Sequence, residues 1–289
     1  MLTAAVITGL GLGSMYALLA LGFHITYIVS KTVNFSQGSA MMLGAVLAYT
    51  LCITWGMPYW IAFCVTLMLS ALYGLVIERF LVRPFASKGS DAWLMATVAG
   101  GILIDNAVMF TFGKEPRQFS NAFATTSVDL FGSGVYALQI IIPVVGVIIA
   151  LLLAFAVRHT RLGKVLQACV QNPNSAQLMG INVGRVVAAS FAVSTVLAAI
   201  AGILIAPLYA VHSDMGTLFG LKAFAVAILG GITSASGVFT AGIIFGLVEA
   251  IVTVYLGSAF TQIITFTLVI FALAVKPNGL FVRGQEIKV

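Results

Sequence analysis

Charge is the scarcest commodity in this chain: Asp, Glu, Lys and Arg together make up 8% of its 289 residues. A soluble domain carries about 25%, so a water-exposed globular fold is excluded. Acids are scarcer than bases, 8 against 14, and the formal charge is +6. In so apolar a chain that excess carries orientation information and is not a nucleic-acid footprint. There are only 3 cysteines, Cys52, Cys64 and Cys169, in no pairing pattern, which argues against a disulfide framework. The three histidines, His24, His159 and His212, lie in unrelated places, so no metal pair and no nucleophile–base arrangement is indicated. The G-x-x-x-x-G-K-[ST] phosphate loop is absent, as are H-E-x-x-H, C-x-x-C and G-x-S-x-G. The chain therefore should not bind ATP, a metal or a cofactor of its own, and should not be an enzyme.

What is present is apolar length. Hydrophobic residues make up 61% of the chain and mean hydropathy is +1.12. The apolar runs are continuous rather than alternating, which selects helices over a barrel. A spanning helix needs about 20 apolar residues. Runs of that kind cover about 2–28, 39–55, 59–77, 92–112, 137–157, 186–209, 238–256 and 260–275. Leu221–Leu229 is apolar but too short to cross alone. Met1–Ile28 has no basic leading region and its run exceeds that of a cleavable leader, so it reads as a span. The expectation is an all-α polytopic bundle of about eight to nine crossings, residues 1–289 forming one transmembrane domain.

Three segments are basic: Glu78–Asp91, Arg158–Arg185 and the tail from Lys276. Basic loops favour the cytoplasm. Placing all three there puts the C-terminus in the cytoplasm and the N-terminus outside, provided that the short segment counts as a crossing. If that segment is re-entrant, one loop assignment fails.

Arg158–Arg185 is the longest polar interval and holds no acid. Inside it, Asn172 fits an N-cap, Pro173 the first helical position and Gly180 a C-terminal stop. A short helix is expected at Asn172–Gly180, with Ala176, Leu178, Met179 and Ile181 available as an apolar docking face. An ordinary loop with one helical turn is the plainer alternative.

Ionisable residues inside spans are costly and demand an account. Asp105, Lys222 and Glu249 are the candidates. Mutual pairing of Lys222 and Glu249 is the structural reading, whereas Asp105 is open. Two polar, small-residue turns enter spans: Asn34–Gly38 and Thr233–Gly237. Asn34, Ser36 and Gln37 are expected to cap the second span, and Asn34 and Gln37 also count among the candidate pathway residues. The stretches Asn34–Gly44 and Gly230–Gly242, with Gly38, Gly44, Gly230, Gly231, Ser234 and Gly237, are expected to meet near the bilayer midplane and line a conduit. VIERFLVRPF and VIFALAVKPNGLF, each closing a span, add a faint internal echo.

These stretches carry a resemblance. GLGLGSMYALLALGFHITYIVSKTVNFSQGSAMMLGA, IERFLVRPF, TRLGKVLQACVQNPNSAQLMGINVGRV, AAIAGIL, GLKAFAVAILGGITSASGVFTAGIIFGLVEA and KPNGLF occur in order over nearly the whole chain. Together they resemble the permease subunits of branched-chain amino-acid ABC importers, leucine/isoleucine/valine type, and the smaller permease in particular. Thr233 stands where members often carry glycine, and Ser36-Gln37 where Ala-His is usual. The resemblance implies a multi-pass protein of the bacterial inner membrane, in contact with lipid. It implies a second homologous permease, two ATPase subunits that bind ATP and Mg, and a periplasmic substrate-binding protein. It also implies that Asn172–Ile181 is the coupling helix to the ATPase, within a coupling segment spanning 158–185, and that alternating access moves the solute. Relatives on the same scaffold carry urea, short amides or aromatic acids, so the cargo stays open. An ion-coupled secondary transporter using Asp105 or Glu249, or a passive channel, is the alternative outside the family.

Overall fold

The computed structural model describes residues 2–86, 88–119, 127–130, 133–276 and 279–281. Much of the second polar interval, and of the basic tail, lies outside the described residues. In chain order the helices are α1 (Leu2–Ser30), α2 (Gln37–Tyr49), α3 (Tyr59–Val76), α4 (Arg83–Ala86), α5 (Ala92–Phe112), α6 (Ala137–His159), α7 (Arg161–Gln171), α8 (Pro173–Leu178), α9 (Val183–Ile205), α10 (Met215–Gly230), α11 (Ala235–Leu256) and α12 (Ser258–Val275). Helix α2 runs on through a π-helical turn at Thr50–Thr54, and Ile77–Val82 is a π-helical link from α3 to α4. A hairpin of β1 (Ser127–Leu130) and β2 (Ser133–Tyr136) precedes α6.

Eight helical segments are long and apolar enough to cross a bilayer, and the short ninth element is α10. At about 1.5 Å per residue, its 16 residues reach about 24 Å, short of a hydrocarbon core of about 30 Å. The sequence places the start of this element at Leu221. It begins at Met215, so Lys222 lies in mid-helix instead of at its start.

Helix α1 is the inner post, packed against α6, α9, α10 and α11. Small residues make that possible. A Cβ on Gly13 would lie 2.8 Å from Ile243 Cα, and one on Gly9 2.9 Å from Leu247 Cα. The G-x-x-x-G pair thus sets how closely α1 approaches α11. Exposed apolar side chains concentrate on α3, α5, α6 and α12, for example Trp60, Ile102, Leu151 and Phe271, as lipid-facing surfaces require.

Within Asn34–Gly44 and Gly230–Gly242, the stretches expected to meet and line a conduit, several glycines pack directly against neighbouring backbone. Gly44 faces α9, where an added Cβ would sit 2.5 Å from Ala199 Cα. Gly230 packs on the residues that follow its own turn: a Cβ there would lie 2.5 Å from Val238 Cα and 2.6 Å from Gly237 O. Gly242 packs on Ala17 of α1. Gly44 and Gly242 thus lie against different helices, α9 and α1. On α1, Gly22 abuts Gln37, while His24 Nδ1 lies 2.7 Å from the Ile232 carbonyl oxygen. Small residues at these positions bring backbones together and leave no open space. Gly44→Leu is accordingly expected to prevent assembly altogether, with the monodisperse peak lost in detergent size-exclusion chromatography. A well-assembled variant at wild-type yield would contradict the packing account.

Candidate coupling helix and intramembrane site

Helix α6 ends at His159 and the chain turns sharply into α7. Thr160 caps α7, its Oγ1 accepting from Gly163 N at 3.0 Å and donating to Ala156 O at 2.6 Å. Gly163 sits against the Val157 and Ala156 carbonyls, where no side chain would fit. Read from sequence as loop, this stretch holds a helix, α7, that the reading missed. Its signal was available: Leu162, Val165, Leu166 and Cys169 repeat at helical spacing. Cys169 is buried, and that burial pushes its thiol pKa up.

The short helix α8 has the expected caps. Asn172 Oδ1 accepts from Ser175 N at 3.1 Å, and Pro173 holds the first helical position. Beyond the C-terminus, Gly180 N donates to Gln177 O at 2.9 Å and Ile181 N to Ala176 O at 3.0 Å. With Gly180 at φ +84°, this is a Schellman closure. Asn182 Oδ1 then caps α9 by accepting from Arg185 N at 3.1 Å. The docking face differs from the expected one. Ala176 is 2% exposed and packs inward, so it presents nothing to a partner. Leu178 and Met179 are 91% and 81% exposed, two large apolar side chains held outward on a rigid turn.

One brace beside this segment was not anticipated. In the π-helical link, residues five apart share a face. Arg83 therefore reaches back to Glu78, Nε to Oε1 at 2.9 Å and Nη2 to Oε2 at 3.1 Å. Nη2 also donates to Gly184 O at 3.2 Å, tying the end of α3 to the first turn of α9.

Within the membrane, Lys222 Nζ donates to Glu249 Oε1 at 2.6 Å, joining α10 to α11. The Tyr16 ring of α1 stands 5.9 Å from that ammonium. Gln37 does not cap α2. It is fully buried, donates to Ser194 O at 3.0 Å and accepts from Ser194 Oγ at 3.0 Å. Ser194 lies eleven residues, about 16 Å, along α9 from Val183, so α2 starts against the middle of α9. Asn34 Oδ1 accepts from Ser36 N and Oγ, at 3.1 and 2.6 Å, folding the α1–α2 turn.

Asp105 of α5 is placed differently from the other charges. It lines a cavity of about 600 Å³, counting its open mouth, between α1, α2, α5 and α10. Gly38 and Ser39 line the same cavity, whereas Gly44, Gly230, Gly231, Ser234 and Gly237 do not.

The comparisons with known proteins fit this architecture. Residues 5–273 match the family described as "Branched-chain amino acid transport system / permease component". The chain belongs to that family. It is 31% identical to the high-affinity branched-chain amino acid transport system permease protein LivH of Salmonella typhimurium, over 97% of this chain and 96% of that one. It is 30% identical to the corresponding protein BraD of Pseudomonas aeruginosa, over 98% and 96%. Ribose import permease protein RbsC of Escherichia coli is 28% identical over 78% of this chain and 68% of its own. A solved structure, PsaBC from Streptococcus pneumoniae in complex with Fab, superposes with a TM-score of 0.53. That superposition covers 96% of this chain and 92% of that chain at 14% identity, a likeness of fold alone. The chain is thus a membrane-embedded transport permease, and its relatives are permease components rather than enzymes.

Glu249→Gln would leave a buried ammonium without its counter-charge, a loss on the order of 3–5 kcal/mol. The expected outcome is a sharply lower yield of folded protein and a lower midpoint of thermal aggregation. Replacing both partners, Lys222→Met with Glu249→Leu, should recover much of the yield. An unchanged midpoint in the single variant would show that the pair is not holding α10 to α11.

Proposed function

We propose that this chain is the membrane-spanning subunit of an ABC importer in the bacterial inner membrane, with its C-terminus in the cytoplasm. Its cargo is a branched-chain amino acid, moved inward by ATP-driven alternating access. It works beside a second homologous permease, two ATPase subunits that hold ATP and Mg, and a periplasmic substrate-binding protein. This chain supplies the conduit and the mechanical contact, and no catalysis.

The observation that supports this reading is the outward-facing pair Leu178 and Met179 on α8. Lipid is not their natural cover, because α7, α8 and the start of α9 carry Arg161, Lys164 and Arg185 with no acid among them. Two large apolar side chains on a doubly capped turn suit a groove in another protein. In this reading the ATPases move α8, α8 moves α9 through the Asn182 cap, and α9 carries α2 and α3 with it.

A second reading keeps the scaffold and changes the cargo. It is favoured by the likeness to a permease named for ribose import.

The test is the double variant Leu178→Asp, Met179→Asp in the assembled transporter. Charges buried in the groove without partners are costly, so recovery of the ATPases on the tagged permease should fall at least tenfold, with uptake falling in parallel. Membrane insertion should be unaffected, since α8 lies outside the spans. Normal ATPase recovery together with normal uptake would overturn the coupling assignment.

A further inference from the structure

Three permanent cations stand where α6 turns into α7: Arg158, Arg161 and Lys164, all of them exposed. Among the described residues no carboxylate pairs with any of them, the ion pairs there being Arg83 with Glu78 and Lys222 with Glu249. The neighbouring sequence cannot supply one, since no Asp or Glu occurs between Asp129 and Asp214. Arg158 suits the C-terminal end of α6, where the helix dipole attracts cations. Arg161 and Lys164 stand at the opposite kind of end, at the start of α7, where the dipole repels them. An anion from outside the chain relieves that repulsion.

The corner turns these side chains outward. Gln167 Nε2 donates to the Val157 carbonyl oxygen at 2.9 Å, which fastens α7 to the end of α6. Cys169 is buried, and Val165 and Leu166 are half-buried, so Arg161, Leu162 and Lys164 are left on the outside. Leu162 is 82% exposed, an apolar side chain among cations. The cations also continue the lipid-facing row of α6. Val144, Ile148, Leu151 and Phe155 lie exposed along one side of that helix, and Arg158 is the next position in the same helical series. Phe155 stands about 4.5 Å along the axis from Arg158, and its ring stacks on that of His159 at 4.8 Å. The surface thus passes from hydrocarbon to cation within one helical turn, as a lipid does from acyl chain to headgroup.

We infer that the α6–α7 corner is a docking surface for an anionic phospholipid. Arg158, Arg161 and Lys164 take the phosphate-bearing headgroup, and Phe155 and Leu162 lie against the beginning of its acyl chains. Charge alone does not select the occupant. The combination does, because the cations extend a lipid-facing row and enclose an exposed leucine, whereas a free phosphate has no use for the apolar part. The surface is separate from Leu178 and Met179, which stand on the next helix. A lipid held here fixes the root of α7 against the membrane surface, and with it the height at which α8 is presented. The inference stands apart from the importer reading: it requires a membrane and this corner, and neither a cargo nor an ATPase.

The experiment is native mass spectrometry of the full-length chain in detergent, offered equal amounts of phosphatidylglycerol and phosphatidylcholine. Each Lys or Arg beside an anionic lipid strengthens binding about fivefold. The wild type should retain phosphatidylglycerol in preference. In the triple variant Arg158→Gln, Arg161→Gln, Lys164→Gln that preference should fall at least fivefold, and a smaller fall overturns the inference. The charge-keeping variant Arg158→Lys, Arg161→Lys should hold the preference, and its loss there would show that charge is not what is read. Should the triple variant fail to fold, Leu162→Glu decides, because it sets a carboxylate among the cations at a position with no packing to lose. A fivefold fall is again expected, and an unchanged preference overturns the surface. Soluble glycerol phosphate in excess should leave the lipid bound; displacement would mark a phosphate site with no role for the chains. If the triple variant keeps its phosphatidylglycerol while a tagged permease loses its ATPases, the cations serve an acidic protein surface and the lipid assignment falls.

Discussion

Everything in this fold depends on how closely α1 can be approached. A helix surrounded by other helices in lipid gains no hydrophobic advantage from being inside, because lipid tails are as apolar as its neighbours. What holds it is surface contact, and contact requires the absence of side chains at the crossing points. Gly9 and Gly13 meet α11 there, Gly22 admits Gln37, and Gly146 of α6 lies against Ser14. Those crossings place α10 and α11 so that Lys222 meets Glu249, and they place α2 so that its polar beginning is held at the middle of α9 by Ser194. The polar contacts are consequences of the close packing. They could not form if the helices stood a methyl group further apart.

Much of this was legible from sequence. Hydropathy located the spans to within a few residues, because a crossing helix must be apolar along its length and its ends must not be. The caps of α8 were legible too, since Asn-Pro at one end and Gly at the other act locally. The Lys222–Glu249 pair was suggested by cost alone: two opposite charges in an apolar chain have few other places to go.

The rest was hidden for identifiable reasons. Glycine in a membrane helix signals either open space or forbidden space, and only the neighbour decides. Gly44 and Gly230 read as pathway, and both sit in close backbone contact with their neighbours. Ala176 and Leu178 are both apolar and two residues apart, so the sequence could not say which faced inward. The cavity around Asp105 is assembled from four helices far apart in the chain. Arg83 was counted only as a basic residue because a five-residue spacing has no meaning in an α-helix. It acquires one in the π-helical link, where it reaches both Glu78 and Gly184.

That link has a mechanical consequence. With Arg83 bonded to the first turn of α9, the link after α3 and the start of α9 are fastened side by side. Thr195 Oγ1 repeats the fastening further in, donating to Ser70 O at 2.8 Å. Two fastenings along one pair of rods prevent both sliding and pivoting between them. A force applied at the foot of α9 would therefore act on two fastened helices together, with α2 seated on α9 through Gln37.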